Sequence, residues 1–458
     1  MRILITGATG LVGSKLIETL YRKGYDDIHV LTRNPQKAEE NSPFPIKAFE
    51  WNPSQQTINK EAFSKVDAVI HLAGESVAEG RWTQAKKERI LNSRVNGTKL
   101  VVDTIKTLPN SPKKLISASA IGIYGNRNSE QLDAKSSLGD DYLADVCKKW
   151  EDLALNHDID SMKSQCIRIG IVLSNKGGAL KKMLPPFKAG VAGNLGNGKQ
   201  YMSWIHIDDL VNQFIFLLEN DGKSKIYNGV SPRPIMNKDF TKILGKQIKR
   251  PTLFPVPSFM LKLIFGEMSD ILLNSQNVLP QNFIDEGFKF QYDTLGYAFA
   301  KILKHDLKGE DVLQKYQVIK KNLNEVFDFF SDEKNLEKIT PPYLNFKVLK
   351  KSTPQIEPGT LIDYKLKLHG IPIKWQSKIS SFDKGISFVD EQVRGPYSKW
   401  HHTHDFITLK SGDTLISDRV IYKAPLGVVG RVFSGPFIKK DLKNIFNYRK
   451  KVIGQFFS

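Results

Sequence analysis

The sequence predicts an α/β domain on a parallel sheet covered on both faces, followed by an α+β domain with an antiparallel sheet. Three observations predict it. Through about residue 170, apolar strands alternate with helix-patterned segments; a glycine-rich turn joins the first strand to the first helix; beyond about residue 303 alternating strands follow one another and a long amphipathic segment closes the chain. At 458 residues the chain exceeds one ordinary core. The expected domains are therefore 1–303 and 310–458.

The first strand, 2–6, is a short apolar run rich in β-branched residues, which reads as a buried parallel strand. It runs into Thr6-Gly7-Ala8-Thr9-Gly10-Leu11-Val12-Gly13. Glycines at 7, 10 and 13 permit a tight turn, close backbone approach to a pyrophosphate, and close packing of the next helix on the sheet. That helix, 11–23, keeps a helical apolar period through Leu11, Val12, Leu16, Ile17 and Leu20. Its first turn offers unpaired N–H groups and a positive dipole end to phosphate. Strand, turn and helix in this order predict a Rossmann-type doubly wound sheet that binds a dinucleotide.

Further strands are expected at 27–32, 45–50, 67–72, 113–119 and 164–169, and helices near 84–106 and 140–157. The stretch 175–300, rich in Gly and Pro, is expected to form irregular substrate-side elements on the same sheet. The second strand ends in Thr32-Arg33 where an acidic residue would accept a ribose 2′-hydroxyl. A cation there suits a 2′-phosphate instead, so NADP(H) is the expected cofactor, against the alternative of a solvated loop arginine. His71-Leu72-Ala73-Gly74 lies at the carboxyl end of the strand 67–72, where small residues let a ribose approach the backbone.

Composition bounds the partners. Hydrophobic content of 40% and charged content of 25% are those of a globular protein. Two cysteines, Cys147 and Cys166, form no disulfide framework or metal-ligand spacing. A signal-peptide pattern and an apolar run of membrane-spanning length are both missing, so a soluble, cytoplasmic protein is expected. The net charge of +19 divides into about +9 before residue 303 and about +10 after it. Such a surface attracts anions, acidic membranes among them at a peripheral contact, yet no zinc-finger, RNA-binding-sheet or basic-zipper pattern is present and no specific nucleic acid is expected.

Several motifs carry a family resemblance: T-G-A-T-G-L-V-G at 6–13, L-T-R-N-P-Q-K at 31–37, H-L-A-G-E at 71–75, R-W-T at 81–83, S-R at 93–94, S-A-S-A-I-G-I-Y-G at 117–125, K-W-E at 149–151, M-L-P-P-F at 183–187 and Q-Y-M-S-W-I-H-I-D-D-L at 200–210. Over residues 1–303 the chain resembles an atypical group of extended short-chain dehydrogenase/reductases, epimerase-like proteins of unassigned substrate within the NAD-dependent epimerase/dehydratase superfamily. The resemblance implies an NADP(H)-binding Rossmann-type domain held by Gly7, Thr9, Gly10, Leu11, Val12, Gly13, Thr32, Arg33, Leu72, Ala73, Gly74 and Arg94. Arg94 stands where ordinary extended members carry an asparagine, and its fork geometry suits phosphate. A symmetric homodimer is the arrangement common among extended reductases.

Catalysis is where the pattern departs. Reductases of this superfamily use a Ser that polarises a carbonyl and a Tyr whose pKa is lowered by a Lys four residues on. Ser119 matches the Ser, but four residues after Tyr142 stands Val146. Registering the chain on Glu151 places Leu143 and Cys147 at the Tyr and Lys positions. The catalytic candidates are Ser119, Tyr124 and Tyr142: either one of Tyr124, Tyr142 and Cys147 works in a nonstandard way, or the site binds without turnover. His206, in W-I-H-I-D-D, reads as a loop-tying histidine with Asp208 or Asp209 capping the following helix.

In the C-terminal part, a helix pattern around Val326, Phe327, Phe329 and Phe330 precedes strands at 344–351, 360–368, 373–382, 386–393, 401–408 and 414–423, and Asp441 to Phe457 forms the closing helix; Asp306 to Leu313 is a linker or a first strand. V-F-D-F-F-S-D-E-K-N-L-E-K-I-T-P-P at 326–342, P-G-T-L-I-D-Y at 358–364, G-I-P-I-K-W at 370–375 and the segment 388–406 resemble the START/polyketide-cyclase-like (SRPBCC) helix-grip domains. That resemblance implies a curved antiparallel sheet gripping the last helix around an apolar cavity for a small or lipophilic ligand. Trp400, His402, His404 and Phe406 share one strand face, His401, Thr403 and Asp405 the other. Two histidines two apart can ligate a metal, but no third ligand is near in sequence and no metal site is assigned. The expected whole is an NADP(H)-binding oxidoreductase or epimerase fused to a hydrophobic-ligand module; the alternatives are a cofactor-binding sensor or scaffold without turnover, and a lipid-binding protein at an anionic membrane.

Overall fold

The first sheet is built around three short, mostly apolar and buried strands, as a parallel sheet covered on both faces requires. Its strands are β1 (Ile3–Thr6), β2 (Ile28–Thr32), β3 (Lys47–Asn52), β4 (Thr57–Ile58), β5 (Ala68–His71), β6 (Lys114–Ala120), β7 (Lys163–Ile169) and β8 (Ile226–Gly229). They lie in the order β8-β7-β6-β5-β1-β2-β3-β4, parallel throughout except for the β3–β4 hairpin. The chain leaves β1 in one direction through β2 and β3, then returns to its other side at β5. That reversal is the switch point where open α/β sheets bind ligands.

The computed structural model describes residues 1–458, with the side chains at 428, 429 and 432 outside the description. Contacts divide it into two compact units: Met1–Thr19, Asp27–Ser42 and Ile46–Leu303 in one, Leu20–Asp26, Pro43–Pro45 and Lys304–Ser458 in the other.

In the first unit, α1 (Leu11–Arg22), α2 (Pro35–Asn41), α3 (Gln84–Lys106), α4 (Tyr142–Leu155) and α5 (Ile207–Glu219) punctuate the sheet. Val101, Val102 and Ile105 of α3 pack on Leu4, Val69 and Leu115 of the strands, a core that the helical period of apolar residues dictates. Two expectations are corrected. The stretch 175–300 is more regular than its Gly and Pro content implied: α5 buries Leu210, Val211 and Phe214, and β8 extends the sheet. The cap of α5 is His206, whose Nδ1 accepts from the Asp208 amide at 3.1 Å, while Asp209 is buried and accepts from the Gln291 and Tyr292 amides at 2.9 Å each. An aspartate with two backbone donors elsewhere is not available for its own helix end.

In the second unit, β9 (Asp311–Ile319), β10 (Lys347–Lys351), β11 (Leu361–Leu368), β12 (Ile371–Asp383), β13 (Ser387–Arg394), β14 (Lys399–Thr408) and β15 (Thr414–Lys423) form one antiparallel sheet in the order β9-β15-β14-β13-β12-β11-β10. Of the segment 306–313, expected as a linker or a first strand, Asp311–Leu313 open β9, which pairs along β15, while Asp306 and Leu307 end a short helix, Lys304–Leu307. Register shifts between β12 and β13 mark bulges, which bend a strand. Helix α6 (Leu323–Phe330) buries Val326, Phe327 and Phe329, and α7 (Gly435–Phe456) begins ahead of the expected Asp441, with Pro436 preorganising its first turn. Leu442 and Phe446 of α7 pack on Val420 and Tyr422 of β15. Among the described residues no helix is long and apolar enough to cross a membrane.

Candidate functional site

The turn between β1 and α1 is shaped by what a side chain would strike. Gly7 has φ +69°, and a Cβ on it would stand 2.9 Å from the Ala73 nitrogen. A Cβ on Gly13 would meet the Gly7 carbonyl oxygen at 2.3 Å. Gly10, in contrast, is exposed and has only the Gly7 oxygen nearby, so its outer side is open to a ligand. The turn closes through the Gly10 amide, which donates to the Gly7 carbonyl at 3.0 Å. Beyond it, the first-turn amides of α1 lack helical partners by construction and lie at the switch point with the positive dipole end.

A buried relay holds this turn against the next crossover. Thr6 Oγ1 accepts from the Leu72 and Ala73 amides at 3.1 and 3.2 Å, so its own proton goes to His71 Nδ1 at 2.8 Å. His71 Nε2–H is then the donor to Thr98 Oγ1 at 3.1 Å. Burial pushes the His71 pKa down to about 4, so the ring is neutral, as this tautomer requires. Leu72, Ala73 and Gly74 thereby line the same cleft as the glycine turn. Arg33 is exposed directly after β2, beside Asn34, which caps α2 by accepting from the Lys37 amide at 2.9 Å.

Arg94 projects from α3 to Gly74, where a Cβ would lie 3.1 Å from its guanidinium carbon. It donates to the Glu75 and Ile90 carbonyls at 3.1 Å and stacks 5.0 Å above the Trp150 ring. Burial lowers its pKa from the usual arginine value, with Cys147 and Tyr142 opposing.

The catalytic candidates fall into two groups. Ser119 and Tyr124 join one buried network: Ser119 Oγ donates to Glu151 Oε1 at 2.6 Å, Arg168 grips both Glu151 oxygens at 2.8 Å, and Arg168 also donates to the Tyr124 hydroxyl at 2.9 Å. The Tyr124 hydroxyl faces Asn228 Oδ1 at 2.7 Å and the Asp133 carbonyl at 2.8 Å, with its ring fully buried. Burial raises the Tyr124 pKa against the pull of Arg168. Tyr142 stands apart at the start of α4, its hydroxyl donating to the Lys87 carbonyl at 2.6 Å. Cys147 is buried among Ile121, Ile123 and Val230, and burial pushes its thiol up to about 12, which keeps it protonated. His206 is likewise neutral, pushed by burial down to about 4 and stacked 3.6 Å from Tyr292.

Sequence reasoning used Glu151 only as a register mark and did not find Arg168 or Asn228. Arg168 sits within a strand of seven residues otherwise typical of a buried one, which was the available signal. A charge in a doubly covered strand needs a buried partner.

The second unit holds a half-open pocket of about 210 Å³ between its sheet and helices, lined by Ile339, Tyr364, Trp375, Trp400 and Phe446 with Arg449 among them. Such a volume exceeds the roughly 150 Å³ in which an apolar cavity takes up benzene. His402 and His404 face into it, resolving the strand-face alternation expected from the sequence. Beside them stand two carboxylates that sequence spacing concealed, Asp390 on β13 and Asp418 on β15.

Comparison with known proteins places these features in a family. Residues 3–146 match the NAD dependent epimerase/dehydratase family, and residues 256–302 match a domain of unknown function, DUF1731. The chain is 38% identical over 307 residues to the chloroplastic epimerase family protein SDR39U1 homolog of Arabidopsis thaliana, covering 66% of this chain and 87% of that one. It is 34% identical to the epimerase family protein YfhF of Bacillus subtilis, over 66% of this chain and 98% of that protein. Among solved structures, human epimerase family protein SDR39U1 with NADPH superposes with a TM-score of 0.60 at 29% identity, over 66% of this chain and 99% of that chain. With the glycine turn, the switch-point sheet and these relatives in agreement, the chain belongs to the NAD dependent epimerase/dehydratase family.

Proposed function

We propose that the first unit binds NADPH and acts as an oxidoreductase or epimerase on a small or lipophilic carbonyl or hydroxyl compound. The observation that carries this reading is the glycine turn at the β1–β5 switch point, with a cation directly after β2. Thr9, Gly10, Leu11, Val12 and Gly13 would hold the pyrophosphate, Thr32 and Arg33 the 2′-phosphate, and Gly7, Leu72, Ala73, Gly74 and Arg94 the nicotinamide side. A human relative solved with NADPH supports the choice of cofactor. When bound, the nicotinamide supplies or accepts a hydride.

Ser119 is the group proposed to polarise the substrate oxygen, with Glu151 fixing its hydroxyl and Arg168 fixing Glu151. Tyr142 is the proposed proton-exchanging group. Burial raises its pKa, and the nearby Arg94 charge works in the opposite sense, as the absent lysine would. Tyr124 positions Arg168. The second unit is proposed to be a helix-grip module that holds an apolar ligand in its cavity. A second reading, binding without turnover, is favoured by a specific observation: the Ser119 and Tyr142 hydroxyls are both committed to protein acceptors.

Titration of the full chain with NADPH and NADH tests the cofactor. Arg33→Ala should weaken NADPH by roughly 10- to 100-fold and leave NADH unchanged, since only the 2′-phosphate loses a charge-assisted partner. Equal affinities for the two cofactors would remove the role given to Arg33. Following NADPH absorbance against a carbonyl panel separates the two readings. NADPH consumption that Ser119→Ala abolishes supports an oxidoreductase, an epimer formed without net consumption and followed by chromatography supports an epimerase, and neither across the panel supports a sensor.

A further inference from the structure

We infer that Asp390, His402 and His404, on the wall of the second unit's cavity, form a site for one divalent first-row transition ion, zinc or ferrous iron by donor preference. Three neighbouring strands build it. Register pairs Asp390 of β13 with His402 of β14, and His404 of β14 with Asp418 of β15. Cross-strand partners share a face, so all four side chains stand together.

The spacing is that of a coordination shell. A tetrahedral ion with ligands about 2.0–2.1 Å away sets them about 3.3–3.4 Å from one another. Asp390 Oδ2 lies 3.3 Å from His402 Nδ1 and 3.3 Å from His404 Nε2. One ligand atom from each of the three residues falls within 4.8 Å of both others. Two imidazoles and one carboxylate on one face leave further positions for water or an oxygen atom of the cavity's occupant.

The outer contacts point the same way. The remaining nitrogens, His402 Nε2 and His404 Nδ1, turn to Asp418 Oδ1 at 3.2 and 2.7 Å. A carboxylate behind a ligating imidazole is the usual means of fixing its tautomer and orientation. Without an ion, His404 Nε2 bonds Asp390 at 3.3 Å and His402 Nε2 bonds Asp418 at 3.2 Å, so the same atoms are already gathered. His404 Nδ1 lies close to Asp418 at a poor hydrogen-bond angle, so the outer contact of His402 is the better formed of the two. The two imidazoles stand 3.8 Å apart, centroid to centroid. Phe388, stacked 4.2 Å from His404, and Phe446, 5.6 Å from His402, give the site apolar walls.

The test uses the full chain, stripped with chelator and titrated with Co²⁺ alone, then Zn²⁺ in competition. Expected are one Co²⁺ per chain with visible ligand-field bands, displaced by Zn²⁺. Asp390→Asn, His402→Gln and His404→Gln should each weaken binding by roughly 100-fold or more, and Asp418→Asn by roughly 10- to 100-fold. NADPH affinity in each variant reports whether the first unit is intact. Pulsed electron paramagnetic resonance of the Cu²⁺-loaded wild-type chain needs no variant and should show two coordinated imidazole nitrogens. No stoichiometric uptake by the wild-type chain, or uptake that all four substitutions leave unchanged, would overturn the site.

Discussion

Each unit buries a knot of charge, and the two knots are built on opposite plans. In the first, Arg168 spends its fork on both Glu151 oxygens and a further N–H on Tyr124, while Ser119 completes Glu151. In the second, two carboxylates surround two imidazoles, and His404 Nδ1 is left without a bond. A closed set of bonds braces the fold around it and holds Ser119 in one place. An unclosed set in a low-dielectric wall retains a demand for charge. Buried charge is thus fully bonded in one unit and incompletely bonded in the other.

The largest effect should come from breaking the closed knot. Arg168→Met leaves the buried Glu151 carboxylate of α4 with only the Ser119 hydroxyl for a partner, and urea denaturation should show a loss of about 3–5 kcal/mol. Adding Glu151→Met should restore stability to within about 1–2 kcal/mol of wild type, because apolar residues of similar volume pack there without a desolvation cost. A single variant as stable as wild type would end the contrast between the knots.

A second experiment concerns His71, the first unit's fully bonded histidine. Its folded pKa of about 4 lies below the unfolded 6.5, so between these values the unfolded chain binds more protons. Stability should therefore be full above about pH 6.5 and fall as the pH drops toward 4, by about 3 kcal/mol at the limit. His206, also near 4, adds to the same slope. His71→Gln should flatten part of it in pH-dependent thermal denaturation; an unchanged slope would mean that His71 is not held neutral.

Backbone rather than side chains shapes the first unit's cleft, and Gly13→Ala probes that difference. A methyl group 2.3 Å from the Gly7 oxygen must open the turn, costing about 1–3 kcal/mol and most of the NADPH affinity. Calorimetry with NADPH and a thermal melt measure both. The smallest effect is expected at the edge of the cleft: Asn34→Ala removes the α2 cap for about 0.5–1 kcal/mol and should not disturb the Arg168 knot.

How much of this was legible in the sequence follows from how local each cause is. Strands β1, β2 and β5–β7 lie within two residues of expectation, because doubly covered strands must be apolar runs. The glycine turn was legible because each glycine answers a contact within the turn or with the next crossover. Strand β8, Ile-Tyr-Asn-Gly, was not: Asn228 is buried only because Tyr124 and the Leu279 carbonyl take its amide. The same limit hid Asp390 and Asp418. His402 and His404 are visible as a pair, but their carboxylate neighbours arrive through strand register, which one sequence does not print.

The hydroxyl of Thr6 has one more implication. By giving its proton to His71 while receiving two amides from the next crossover, it locks the glycine turn by bonds within the fold alone. The ordering entropy is spent during folding, so empty and loaded forms should superpose there, and any closing motion on binding must come from other loops.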